Sequence, residues 1–245
     1  MSALREGEHE VEVEYVTLRG VDGATVPAIH ARPLGMPVGG VVVGADIHGL
    51  RPLFEDLCRR LATHGLAVCA PEPWARIPEA ERVTLGADQR QERVRDLVDE
   101  VQVGDLEAAA DRLVVADDVP RVGVIGFCIG GMYALKAAAT DRFDSAVVGY
   151  GMIRLPEQWR GPGQRDALDT AADACATFAA FGGRDPYTPA EDIDALRAVW
   201  AGRPAHEIVV YPDAEHGFVH DPERPAHRPD DAADVWTRAL RRLGA

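Results

Sequence analysis

Val122-Gly123-Val124-Ile125-Gly126-Phe127-Cys128-Ile129-Gly130-Gly131 reads as a short buried strand, a sharp turn with a cysteine at its tip, and the start of an alanine-rich helix over 132–140. The pattern is G-x-C-x-G-G, a strand–turn–helix elbow with the cysteine where such elbows present a nucleophile. The glycines have a steric reason. The tip residue sits in a strained backbone conformation, and side chains at Gly126 and Gly130 would collide where helix and strand pack closely. Taken alone, the stretch fits equally a structural turn around a small buried cysteine.

Working outward, other apolar runs bounded by turn residues recur. Residues 10–18 alternate valine with glutamate and read as an exposed antiparallel strand, and residues 24–32 as its partner in an edge hairpin. Residues 39–45 form a continuous apolar run that reads as a strand buried on both faces of a parallel sheet, 66–70 read as another buried strand, and 145–150, 176–181 and 207–211 as further strands. Helical patterns fall at 53–64, closed by Gly65, at 87–99, 105–114, 190–200 and 230–242. Residues 71–85 are irregular, and residues 154–172, rich in Gly, Pro and charge, read as a mobile excursion. This alternation predicts one α/β domain over 1–245, a mainly parallel doubly wound sheet with helices on both faces and an N-terminal antiparallel edge.

Bulk composition narrows the function. Lys plus Arg number 26 against 40 Asp plus Glu, a net charge of −14, which argues against nucleic acid and against an anionic membrane surface as partners. No run approaches the roughly 18 apolar residues of a membrane span, and the acidic N-terminus does not read as a secretory signal. The four cysteines, Cys58, Cys69, Cys128 and Cys175, show no paired spacing. Neither a disulfide framework nor a metal site is expected, and a cytoplasmic location follows as the default.

In doubly wound sheets, sites lie beyond the C-terminal ends of the strands. Asp46, Cys128, Asp185 and His216 each follow such a strand. The chain order nucleophile, acid, base (Cys128, Asp185, His216) is that of the α/β-hydrolases. A thiol is only slightly ionised at neutral pH, so it needs a base and a positive field. His216 is the candidate base, Asp185 the group that orients it, and the helix opening at Ile129 the source of the field. Each has a bland alternative: Asp185 before Pro186 as a turn residue, His216 before Gly217 as a solvated loop residue.

These residues lead to a family. The chain resembles the dienelactone hydrolases, a family of α/β-hydrolases, through Gly126-Phe127-Cys128-Ile129-Gly130-Gly131, Val103-Gly104-Asp105-Leu106-Glu107-Ala108-Ala109, Gly182-Gly183-Arg184-Asp185, Glu215-His216-Gly217-Phe218 and Asp46-Ile47-His48-Gly49-Leu50-Arg51-Pro52. The resemblance implies hydrolysis of a small lactone or activated ester with no cofactor, Cys128 carrying the acyl group and the N–H groups of Ile129 and Ile47 forming the oxyanion hole. It also implies a thiol-modulating role for Asp46, which stands where founding members carry the longer glutamate. The alternative is that Asp46 hydrogen-bonds its own loop. Founding members bind the substrate carboxylate with an arginine four residues after the histidine, where this chain has His220, and with an arginine before the central helix, where Arg82, Arg90 and Arg93 lie. His220, Arg90, Arg82 and Trp74 are thus the candidate substrate contacts, and the expected partner is a small lactone or ester, in a monomer or homodimer. A broad carboxylesterase or thioesterase on the same scaffold, or a redox-sensing or binding protein using Cys128, are the alternatives.

Overall fold

The valines at 11, 13 and 16 carry the chain into β1 (Val11–Arg19), which pairs antiparallel with β2 (Thr25–Pro33). β2 is not confined to an edge hairpin. Its far side pairs antiparallel with β4 (Leu66–Pro71), so β1 alone forms that edge. In the computed structural model, which describes residues 1–245, the apolar runs β3 (Gly39–Gly44), β4 and β5 (Val122–Phe127) are buried along their whole length. With β6 (Ser145–Gly149), β7 (Ala176–Gly182) and β8 (Glu207–Tyr211) they make the parallel part of one eight-stranded sheet, ordered β1-β2-β4-β3-β5-β6-β7-β8. The mainly parallel sheet with an antiparallel N-terminal edge agrees with the strand pattern.

Seven helices connect the strands: α1 (Pro52–Thr63), α2 (Glu79–Arg82), α3 (Ala87–Arg93), α4 (Asp99–Asp117), α5 (Ile129–Ala137), α6 (Ala190–Val199) and α7 (Pro229–Leu243). α1 and α7 start on a proline, whose missing N–H has no partner to lose in a first turn. α1 buries Phe54, Leu57, Cys58 and Leu61, and α7 buries Val235, Trp236 and Ala239, each an apolar stripe at helical spacing. These stripes share one face of the sheet, where rings from Phe54, His220, Phe127 and Trp236 pack in series. α4 and α5 pack on the other face and against each other. No helix is long and apolar enough to cross a membrane.

Two expectations need correction. The charged segment 87–99 is not one helix: α3 ends at Arg93, a single turn of tighter helix follows at Val94–Asp96, and Leu97 and Val98 are extended. α4 then runs from Asp99, well before the expected start at 105. Gly104 hid this extension because glycine disfavours helix interiors, and here a Cβ at that position would press on Val21. The second correction concerns residues 154–172, which are docked rather than loose. Leu155, Trp159, Ala167 and Ala171 are buried there. Gln164 donates to Val94 O (2.7 Å), and Asp99 takes both Lys136 Nζ (2.6 Å) and Arg165 N–H (2.8 Å). The anchors are widely spaced single side chains, which leave no periodic pattern.

The position of β5 relative to α5 depends on bare backbone. A Cβ on Gly126 would lie far inside van der Waals contact of Gly130 O, and one on Gly130 would strike Gly44 O at the end of β3. Gly126→Ala is expected to destabilise the protein by about 3 kcal/mol or more. Gly35→Ala, where a Cβ meets nothing within 4 Å, should shift stability by under about 0.5 kcal/mol. Urea unfolding followed by circular dichroism checks both, and equal effects would contradict this account of the elbow.

Candidate active site

β5 ends at Phe127 and α5 begins at Ile129, so Cys128 alone makes the reversal. Its φ of +57° with ψ of −121° lies in a region that costs a non-glycine residue about 1–3 kcal/mol. The strained residue is fixed by its N–H, which donates to Gly149 O at the end of β6 (3.1 Å), and by its carbonyl, which accepts from Met132 N–H (3.0 Å). Cys128 is 8% exposed and sits at the N-terminus of α5, whose unpaired N–H groups create positive potential at that end.

The turns after β7 and β8 are bonded to each other. Gly183 N–H donates to Tyr211 O (2.8 Å) and Arg184 N–H to Ala214 O (2.9 Å), which brings Asp185 beside His216. Asp185 is buried and accepts from Tyr187 N–H (2.9 Å) at Oδ1 and from His216 Nδ1 (2.8 Å) at Oδ2. The His216 ring stands edge-on between two tyrosines, Tyr150 and Tyr187, each with its centroid 4.9 Å away and its plane near perpendicular. Burial disfavours the imidazolium, but Cys128 and Asp185 outweigh it and hold the His216 proton up at about 9. The structure therefore gathers Cys128, Asp185 and His216 at one sheet edge.

The loop after β3 completes the wall beside α5. The N–H of Ile47 takes no acceptor in the chain, and Ile129, first in α5, has no intrahelical one. The Ile47 peptide is fixed from behind, since Trp74 Nε1 donates to Ile47 O (2.9 Å). Glu72 holds the next stretch through the N–H groups of Leu50 (3.0 Å) and Trp74 (3.0 Å). Trp74 is 2% exposed, so it acts as a support for this loop and not as an open contact for a ligand.

Asp46 does not bond Cys128. Its carboxylate accepts His48 N–H (2.9 Å), both ends of the Arg51 guanidinium (2.7 and 2.9 Å) and His220 Nε2 (3.0 Å). Burial would raise this carboxyl, yet His220 and Arg51 outweigh burial and hold it well below the usual range. His220 itself is wholly buried, stacked on Phe127 at 4.7 Å, with Nδ1 bonded to the Tyr150 hydroxyl. Burial keeps it below the ordinary histidine value against the pull of Asp46. A side chain enclosed in this way is a partner of Asp46, and it offers no surface to a substrate.

Of the arginines, Arg90 is 7% exposed and lies over the Trp74 ring, donating to the carbonyls of Arg82 (2.7 Å) and Leu85 (3.3 Å). Its buried NH1 has no partner. Arg82 is half-buried nearby. A further cation, not singled out from sequence, is Arg224. It has no ion-pair partner, and its guanidinium covers Gly217, where a Cβ would come within 2.6 Å of its Cζ. Tyr150, Tyr187 and Arg51 were also missed as site residues. Tyr150 directly follows β6, the same strand-end position that singled out Cys128, but the apolar run over 145–150 reads it as part of the strand. No three His, Cys, Asp or Glu side chains are grouped to hold a metal ion.

Comparison with known proteins places the chain in a family. The model of the dienelactone hydrolase family matches residues 26–245. An Escherichia coli (strain K12) protein named "Putative carboxymethylenebutenolidase" is 33% identical over 224 residues, covering 89% of this chain and 82% of that protein. The carboxymethylenebutenolidase of Rhodococcus opacus is 30% identical over 217 residues, covering 88% and 84%. Among solved structures, a "Putative Dienelactone Hydrolase" from Klebsiella pneumoniae superimposes with a TM-score of 0.86 at 27% identity, over 96% of this chain and 99% of that one. With its elbow, its mainly parallel sheet and a match from β2 to the C-terminus, this chain belongs to the dienelactone hydrolase family of α/β-hydrolases.

Proposed function

We propose that this hydrolase opens a small lactone, or cleaves a related activated ester, through an acyl-cysteine intermediate on Cys128. The observation that carries the reading is the imidazole of His216, bonded through Nδ1 to the buried Asp185 at the strand ends where Cys128 makes the turn into α5; Cys128 and Asp185 both favour its charged form. An imidazole beside a cysteine at a helix N-terminus is the pairing that activates a thiol as a nucleophile. Two relatives named for carboxymethylenebutenolidase activity support a lactone as the substrate class.

In this reading the Cys128 thiolate attacks the lactone carbonyl, and the oxygen that gains charge is received by the N–H groups of Ile129 and Ile47. A donor of this kind typically contributes about 3 kcal/mol of barrier lowering. The ring C–O bond breaks, the leaving oxygen takes the His216 proton, and the opened chain stays attached as a thioester. Neutral His216 then removes a proton from water, the hydroxide attacks the thioester, and the thiolate departs beside a reprotonated His216. Asp185 keeps the imidazole in one orientation throughout. The net reaction is lactone plus water giving a hydroxy acid.

The surroundings favour an anionic substrate. On a chain of net charge −14, four arginines converge on this edge, Arg51 and Arg224 acting on the buried Tyr150 and Arg82 and Arg90 on the buried Glu72. Arg224, which has no ion-pair partner, is the cation with capacity left for a carboxylate.

Three outcomes test the reading. Cys128→Ala abolishes turnover of p-nitrophenyl acetate and of a panel of small lactones, with folding unchanged by circular dichroism; turnover in that variant on any panel member that the wild type hydrolyses would sink the nucleophile assignment. His216→Ala abolishes turnover and lowers the rate of iodoacetamide labelling of Cys128 at neutral pH, and the wild type shows an alkaline limb in turnover. That limb follows from the sign of the shift: the imidazolium, raised from 6.5 to about 9, persists through neutrality and is lost as pH climbs through about 9. Ring opening, which consumes that proton, slows over the same window in stopped-flow burst measurements. Lastly, Arg224→Gln raises KM for a carboxylate-bearing lactone about tenfold to a hundredfold and leaves KM for a neutral ester unchanged, as expected for one lost charged hydrogen bond.

A further inference from the structure

Beside the Asp185–His216–Cys128 group lies a second, buried array with the same chemical order. Asp46 Oδ2 meets His220 Nε2 at 3.0 Å, and His220 Nδ1 meets the Tyr150 hydroxyl. Asp46, His220 and Tyr150 are each 1% exposed or less. The two arrays touch, because the Tyr150 ring packs edge-on against His216 at 4.9 Å. Tyr150 also has a positive φ of 40°, a conformation that non-glycine residues keep only where surrounding contacts enforce it.

The direction of the hydrogen bonds follows from the partners. His48 N–H and both Arg51 nitrogens can only donate, so the Asp46 carboxylate is anionic and an acceptor throughout. His220 Nε2 must then carry the hydrogen that reaches Asp46. In the neutral ring this leaves Nδ1 as an acceptor, and the only hydrogen available to it is the Tyr150 phenolic proton. That proton is therefore committed away from Cys128, and Asp46 has no capacity left for the thiol. The other charged and titratable groups facing the two arrays are His48 from the loop after β3, Arg51 from the start of α1, Tyr187 from the turn after β7, Asp221 and Arg224 from the loop after β8, and Cys128 itself.

We infer that Asp46, His220 and Tyr150 form a positioning relay: it locks the Tyr150 ring against His216 and withholds both the carboxylate and the phenolic proton from Cys128, so that His216 alone is left to serve the sulfur before any substrate arrives. This inference rests on the Cys128–His216 reading above, but assigns Asp46 to the relay and not to direct control of the thiol.

Asp46→Asn supplies a directional test. The new NH2 cannot face His48 N–H and Arg51 NH1 together, since both are fixed donors. At Oδ2 it meets one fixed donor, Arg51 NH2, and His220, which can exchange tautomers and accept from it, so it takes that position and gives up the Arg51 NH2 bond. Nδ1 then carries the hydrogen, donates to the Tyr150 oxygen, and frees the phenolic proton to face Cys128 and His216. Tyr150→Phe removes that proton altogether and keeps the ring. The measurement is the rate of Cys128 carboxamidomethylation against pH without substrate, located by peptide mass spectrometry, alongside kcat and KM. The wild type is expected to label at neutral pH, and adding a non-hydrolysable lactone analogue should not accelerate it. Asp46→Asn and Tyr150→Phe should each lower kcat by about tenfold or more with KM little changed, as misplacement of a reacting group does. Both should displace the labelling profile, and Asp46→Asn should lose its displacement when combined with Tyr150→Phe. Labelling that needs the analogue, or wild-type profiles in both single variants, would overturn the relay. Failure of the nucleophile assignment would look different: labelling or turnover independent of Cys128 and His216.

Discussion

The site depends on a single backbone reversal. Between the last residue of β5 and the first of α5 only Cys128 intervenes, and it takes a conformation most side chains avoid. Three glycine backbones, at Gly44, Gly126 and Gly130, come together to make room for that turn. The strain is balanced by hydrogen bonds on either side of the cysteine and by burial of Phe127, whose ring touches Tyr150, His220 and Trp236. The rigid core under the elbow therefore also fixes the groups that face the sulfur. In the proposed reaction this rigidity is useful, because an attacking thiolate and its proton donor gain most when their geometry is set in advance.

Charge is arranged around that turn in two ways. Negative charge closest to the imidazole is buried and fully committed: Asp185 to His216 and Tyr187, Asp46 to His48, Arg51 and His220. Positive charge stands further out, on Arg82, Arg90 and Arg224, and part of it is left without a carboxylate partner. A strongly acidic chain with this local basic rim favours anions at one place only, and low-dielectric walls sharpen the effect. The proposed nucleophile and the proposed carboxylate subsite therefore draw on different residues, which makes reactivity and substrate selection separable by mutation.

Much of this is visible in the sequence, for physical reasons. Buried parallel strands are continuous apolar runs, so β3 to β7 are recognisable, and the strand-end rule places Asp46, Cys128, Asp185 and His216 at one edge. A Gly-rich elbow is legible because close backbone approach admits only glycine. Side-chain direction is not legible. Whether Asp46 points to the thiol or to Arg51 depends on contacts with a residue 174 positions away, His220, and a histidine at that place reads as a surface anion contact until its burial is known. The docking of residues 154–172 is hidden for a similar reason, since it relies on isolated anchors such as Gln164 and Trp159 and on polar contacts to Asp99. Arg224 was missed because it sits eight residues past His216 in a loop, and only the folded chain returns its guanidinium to Gly217.

The central claim is that the acyl group passes through the Cys128 sulfur. The most direct measurement is rapid acid quench of the enzyme during turnover of a slow activated ester, followed by intact-mass and peptide mass spectrometry. The account predicts a transient adduct of the mass of the acyl group, confined to the peptide containing Cys128 and lost on further incubation. Turnover with the adduct on another residue, or with oxygen-18 incorporation kinetics that exclude any covalent intermediate, would contradict it.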